Sequence, residues 1–127
     1  MSIPSDRRYS DTHEWFKIDG STVTIGITKF AVDELTDITY VQMHDVGTSI
    51  EQGGTIGEVE SVKATSDIYS AVAGEISEVN GALDEDPATL NTDPYEAGWL
   101  IKLNAGDTSA LDDLMDAAAY EAKYGAS

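Results

Sequence analysis

The chain contains no cysteine, which excludes a disulfide framework, a zinc ribbon and a cysteine nucleophile. Positive charge is almost as scarce. Seven lysines and arginines stand against twenty-four aspartates and glutamates, giving a formal net charge of −17. Nucleic acid and anionic membrane surfaces repel such a chain, so neither is expected as a partner. No run approaches the roughly 18 consecutive apolar residues of a membrane span. The start, Met1-Ser2-Ile3-Pro4-Ser5-Asp6, lacks the basic and apolar regions of a signal peptide, so a cytoplasmic location is expected. His13 and His44 are too far apart for the i,i+4 pairing of a helical metal site, and no metal is expected.

What is present suits one domain over residues 1–127, since 41% of the residues are apolar and a single core commonly organises about 100–200 residues. The acids are scattered and read as a solvated surface. Such a surface repels itself in dilute buffer and is relieved by salt, which shortens the Debye length. A salt-rich, halophile-like host is the expectation.

Trp15-Phe16-Lys17-Ile18, Asp19-Gly20 and Thr22-Val23-Thr24-Ile25-Gly26-Ile27 read as a hairpin. Thr28 is placed to cap a short helix over Lys29 to Leu35, with Phe30, Leu35 and Ala31 as its inner stripe. A strand over Ile38 to Met43 follows, and Gly47, Gly53 and Gly54 punctuate short segments beyond it. Turn signals at this density predict an all-β barrel or sandwich. Gly81 to Pro94 reads as a loop, and Trp99 to Leu103 as a closing strand. Leu111, Leu114, Met115, Ala118 and Ala119 recur at helical spacing, which predicts a C-terminal helix over about 109–123.

An internal repeat runs through the middle. Gly57-Glu58-Val59-Glu60-Ser61-Val62-Lys63 returns as Gly74-Glu75-Ile76-Ser77-Glu78-Val79-Asn80. Two similar β units suggest a pseudo-twofold structure, and Lys63 is where the copies differ. It is also the one lysine or arginine between Lys29 and Lys102. Val62-Lys63-Ala64 reads as a hairpin tip that pushes the ammonium into solvent, as a modifying enzyme or a carrier arm requires.

The segment Glu60-Ser61-Val62-Lys63-Ala64-Thr65-Ser66-Asp67-Ile68-Tyr69-Ser70, with Gly74-Glu75-Ile76 and Val79-Asn80, resembles the lipoyl-attachment region of the glycine cleavage system H proteins. His13-Glu14-Trp15, Val23 through Gly26-Ile27-Thr28, Asn91, Asp93-Pro94-Tyr95 and Gly98-Trp99 extend the resemblance over nearly the whole chain. There are two departures: the family usually has a histidine where Phe30 stands and a glycine where Thr36 stands.

The resemblance implies a mainly β, lipoyl-type barrel-sandwich hybrid of two antiparallel sheets, with a short inserted helix and a C-terminal helix. It also implies lipoate bound to Lys63 by an amide. Lysine stem and lipoyl chain together give roughly a dozen bonds, and at ~1.2 Å of advance per bond the arm reaches ~14 Å. The strained disulfide at its end is open to nucleophiles. The implied role is a non-catalytic carrier. It takes an aminomethyl unit from a PLP-dependent glycine decarboxylase to an aminomethyltransferase that uses tetrahydrofolate. It then passes electrons to a dihydrolipoamide dehydrogenase with FAD and NAD. A further partner is the lipoylating enzyme, with Glu60 and Ser61 as its recognition residues. By the same resemblance Glu14 lines a cleft that protects the cationic cargo through charge-assisted hydrogen bonds, and Asp67 is a second candidate for its acidic wall.

Other readings compete. A biotin carrier would share the fold, but it favours methionines beside the lysine, where Val62 and Ala64 stand. A carrier that relays lipoyl groups to other complexes would look alike, and an unmodified interaction domain would leave the lysine bare. Ser61, His44 and Asp67 are residue types of a hydrolase triad, but no Gly-x-Ser-x-Gly occurs. Trp15, Trp99 and Tyr40 read as core or rim aromatics.

Overall fold

The computed structural model describes residues 4–124. Among the described residues nine short strands form two antiparallel sheets. β1 (Arg8–Tyr9), β2 (Glu14–Asp19), β3 (Thr22–Ile27), β9 (Ile101–Asn104), β8 (Gly74–Val79) and β5 (Ser49–Ile50) follow one another across the six-stranded sheet. The smaller sheet has the order β4 (Ile38–Met43), β6 (Thr55–Ser61), β7 (Thr65–Tyr69), which leaves β7 at an edge. Phe16, Ile25, Leu103 and Ile76 from one sheet and Val41, Ile56, Val59 and Ile68 from the other belong to one buried cluster. The β-branched residues read as strands thus meet across the sandwich, as period-2 alternation requires.

The repeat is split between the sheets, since β6 carries its first copy and β8 its second. The first hairpin closes on the pair Asp19 and Thr22, and Gly20 takes the left-handed φ of 64° in the turn. Across β2 and β3, Trp15 lies over Gly26, where a Cβ would sit 2.5 Å from the indole. Trp15 faces away from Phe16 and joins Tyr9, Tyr95 and Tyr120 in a second, aromatic cluster. The big sheet is therefore covered on its outer side as well.

Thr28 caps α1 (Lys29–Leu35) as expected, its side chain accepting from the Ala31 amide at 3.3 Å. Val32 is the helix's buried residue, with Ala31 and Leu35 packed beside the core. Phe30 turns instead to the His13 ring, 4.4 Å away between centroids. The helix ends at Thr36, whose φ of 66° and ψ of −136° lie where a side chain is strained. Strain of this kind costs ~1–3 kcal/mol, more than the ~0.5–1 kcal/mol by which glycine's unfolded-chain entropy disfavours folding. Thr36→Gly is therefore expected to raise stability by ~1 kcal/mol, read as a later urea midpoint with an unchanged slope.

Two stretches differ from the sequence reading. The 81–94 loop contains two single helical turns, α2 (Ala82–Glu85) and α3 (Thr89–Thr92), which put Leu83 and Leu90 into the core. The C-terminal helix over 109–123 is not continuous. A 3-10 turn (Ser109–Asp113) is followed by extended Leu114, and α4 spans Ala117–Tyr124. The break has a clear cause: Met115 exchanges both backbone hydrogen bonds with Tyr9, at 2.8 and 3.1 Å, which a helix there would forbid. Asp116 then restarts the helix by accepting from the Ala119 amide at 2.8 Å.

Candidate functional site

Lys63 stands at the tip of the β6–β7 hairpin. The last strand pair is Glu60 with Thr65, and the Ser61 amide donates to the Ala64 carbonyl at 2.8 Å. Ser61 shapes the tip: its Oγ accepts from the amides of Lys63 at 3.1 Å and Ala64 at 3.0 Å. Serine at the first position of such a turn satisfies two backbone donors that the strands cannot reach. Val62, Lys63 and Ala64 are all exposed. The Lys63 Nζ donates to the Glu34 carbonyl at 3.2 Å, at the C-terminal end of α1, and among the described residues has no carboxylate within ion-pair distance. Carbonyls at a helix end lack intrahelical donors and attract a cation.

Glu58 and Asp67 face each other across β6 and β7, with Gln42 next in the row on β4. They line a cavity of about 310 Å³ together with His44. Glu60 sits two pairs closer to the tip, between Tyr40 and Thr65, and is half-buried. The outer side of the small sheet below Lys63 is thus acidic.

Glu14 lies elsewhere. It shares the inner face of β2 with Phe16 and is 1% exposed. Its Oε1 accepts from the Ser10 hydroxyl at 2.6 Å and from the Thr12 hydroxyl, and its Oε2 accepts from the Tyr69 amide at 3.2 Å. Burial pushes the carboxyl above its ordinary value, and these three donors pull it back towards ionisation. The carboxylate forms one wall of a largely apolar cavity of about 370 Å³ with Ser10, Thr12, Phe16, Tyr69 and Ala71. Glu14 and Asp67, placed in one cleft by the sequence reading, line different cavities: Glu14 sits against the free edge of β7 and Asp67 on its outer face.

His13 has a left-handed φ of 72° and bonds through Nδ1 to the Tyr120 hydroxyl at 2.8 Å. That hydroxyl also meets the Thr28 Oγ1 at 2.9 Å, and burial pushes the phenol up to about 12. Burial likewise holds the His13 imidazole below its usual value. The loop that carries Ser10 and Thr12 and leads into Glu14 is clamped onto α4 in this way.

Several contacts are not foreseeable from motifs: the Glu34 carbonyl under Lys63, the Ser10 and Thr12 hydroxyls on Glu14, and the role of Asn91 described below. Among the described residues no cluster of three or more metal-ligating side chains occurs, and no helix is long and apolar enough to cross a membrane.

The model of the glycine cleavage H-protein family matches residues 7–126. The chain belongs to that family. It is 47% identical over 122 residues to the glycine cleavage system H protein of Beutenbergia cavernae, covering 96% of each chain. It is 50% identical over 121 residues to that of Thermus thermophilus, covering 95% of this chain and 94% of the relative. The crystal structure of a glycine cleavage system H protein from Mycobacterium marinum superimposes with a TM-score of 0.87 at 42% identity, covering 97% of this chain and 99% of that one. In this glycine cleavage H-protein family member, the mainly β architecture of two antiparallel sheets with a C-terminal helix agrees with the sequence expectation.

Proposed function

We propose that this protein is the lipoyl-bearing carrier of a cytoplasmic glycine cleavage system, with Lys63 as its attachment residue. The observation that carries the reading is an exposed lysine at a hairpin tip, its Nζ held by one backbone carbonyl. The site fits the group: a modifying enzyme can reach the nitrogen, and an amide N–H there keeps a donor for the Glu34 carbonyl. When bound, lipoate supplies a disulfide that accepts and hands on a one-carbon amine. The chain's own residues do the rest. Ser61 and the β6–β7 pairing fix the root of the arm, and β7 leads from it to the Tyr69 amide that holds Glu14. The four residue steps from Thr65, just past the tip, to Tyr69 span ~13 Å at ~3.3 Å each, a length comparable to the ~14 Å reach of the arm.

At the far end Glu14 offers negative charge in an apolar cavity, suited to a cationic amine. The charge would count for more there than in water, because the surroundings screen it less. Asp67, Glu58 and Glu60 present the acidic face below the tip, suited to cationic surfaces of the lipoylating enzyme and of the aminomethyltransferase. Chemistry stays with the decarboxylase, the aminomethyltransferase and the dihydrolipoamide dehydrogenase. Incubation with a lipoate–protein ligase, lipoate and MgATP is expected to add one lipoyl increment, found on the peptide containing Lys63. A biotin increment on native material, or none from either source, would replace this reading with a biotin carrier or an unmodified interaction domain.

A further inference from the structure

A single side chain from a distant part of the sequence holds the corner on which the Lys63 hairpin rests. Asn91, in α3, accepts from the Ile38 amide through Oδ1 at 3.0 Å and donates to the Thr36 carbonyl through Nδ2 at 2.7 Å. A backbone donor on one side and a backbone acceptor on the other fix the orientation of the carboxamide. Asp37 lies between the two clamped residues. Its carbonyl accepts from the Val62 amide at 3.1 Å, and Glu34, just before the corner, gives its carbonyl to the Lys63 Nζ. The tip backbone and the tip ammonium therefore both dock on the 34–38 segment. That segment includes strained Thr36, and strain of this kind persists only where the surroundings over-determine it. Leu90, fully buried next to Asn91, ties the clamp to the core.

We propose that Asn91 is a positioning residue for acylation of Lys63. Its carboxamide sets the height and direction from which the tip enters a modifying enzyme. The proposal rests on Lys63 being the attachment site. In the step concerned, the nitrogen lone pair forms an amide bond to the acyl carbon of an acyl-adenylate. The acyl C–O bond breaks, adenylate leaves with the electron pair, and the ammonium gives up two protons to solvent. A displacement of about 1 Å at the root of such a reaction costs up to ~100-fold. Asn91 touches none of the reacting atoms.

The test compares the parent protein with Asn91→Ala and Asn91→Asp. The aspartate keeps the acceptor for Ile38 but sets a carboxylate against the Thr36 carbonyl. Three quantities are read: the kcat/KM of lipoylation by a ligase with lipoate and MgATP, the rate at which an N-hydroxysuccinimide acetate ester labels Lys63, and hydrogen exchange at the Val62 amide. Both variants are expected to lose about tenfold in enzymatic kcat/KM, to keep or raise the chemical labelling rate, and to exchange Val62 faster. Enzymatic rates within twofold of the parent would overturn the proposal, and so would an equal fall in both acylation rates or full activity of Asn91→Asp. If Asn91→Ala does not fold, Asn91→Asp carries the comparison. If the ligase leaves even the parent unmodified, the attachment reading and the acylation role fall together, and Val62 exchange then reports on the clamp alone.

Discussion

Replacing Lys63 by arginine is expected to bring glycine–bicarbonate exchange with the decarboxylase down to background while leaving the protein folded. The two halves of this expectation have separate causes. Lys63 is exposed and contributes one side-chain hydrogen bond, to the Glu34 carbonyl at 3.2 Å, so the change in unfolding free energy should stay within about 0.5 kcal/mol. Guanidinium also donates to a carbonyl but stays protonated at any working pH and offers no lone pair for acylation. Charge, turn and fold survive, and the root of the arm does not. Exchange that persists in Lys63→Arg, with the thermal midpoint unchanged, would remove Lys63 from the mechanism.

The second large effect is expected at Glu14. In Glu14→Gln, the aminomethyl cargo should be lost from isolated loaded protein about tenfold faster, equivalent to ~1.4 kcal/mol of lost stabilisation. Glutamine keeps the shape and can still accept from the Tyr69 amide, while its amino group donates to the hydroxyl oxygens of Ser10 and Thr12. What disappears is the negative charge in the cavity. Unfolding does not account for the faster loss, as the sign of the linkage shows. Burial raises Glu14 above its ordinary value of 4.5. Its favourable contribution is therefore present at low pH and is lost as pH rises through the folded value. At pH 7 the ionised carboxyl works against folding, so the neutral variant should be no less stable than the parent. A decay rate equal to that of the parent would assign Glu14 a purely structural place at the strand edge.

The hairpin tip at Lys63 was legible because everything that makes it is local. A serine begins a two-residue turn, β-forming residues flank it, and one lysine stands alone in an acidic chain. The sheets were legible for a similar reason, since their β-branched alternation survives the passage into three dimensions. What stayed hidden depends on distant partners. The apolar spacing from Leu111 to Ala119 suits a helix, and nothing nearby shows that Tyr9 will recruit the backbone of Met115. Asn91 and the Thr36–Ile38 corner are about fifty residues apart, so their pairing leaves no local signal. Glu14 and Asp67 are both acids beside the same strand, but one meets its edge and the other rides its outer face. That difference arises from how the sheets pack, which no spacing encodes.

The carboxylate at the edge of β7 has one more consequence. Open edges of sheets invite the strands of other molecules, and a long-lived protein must block them. Here the Tyr69 amide, which would otherwise face outward, is already taken by Glu14. A small apolar residue at position 14 would free that amide beside exposed Tyr69, turning a guarded border into a template for intermolecular β-pairing and, at high concentration, for fibrils.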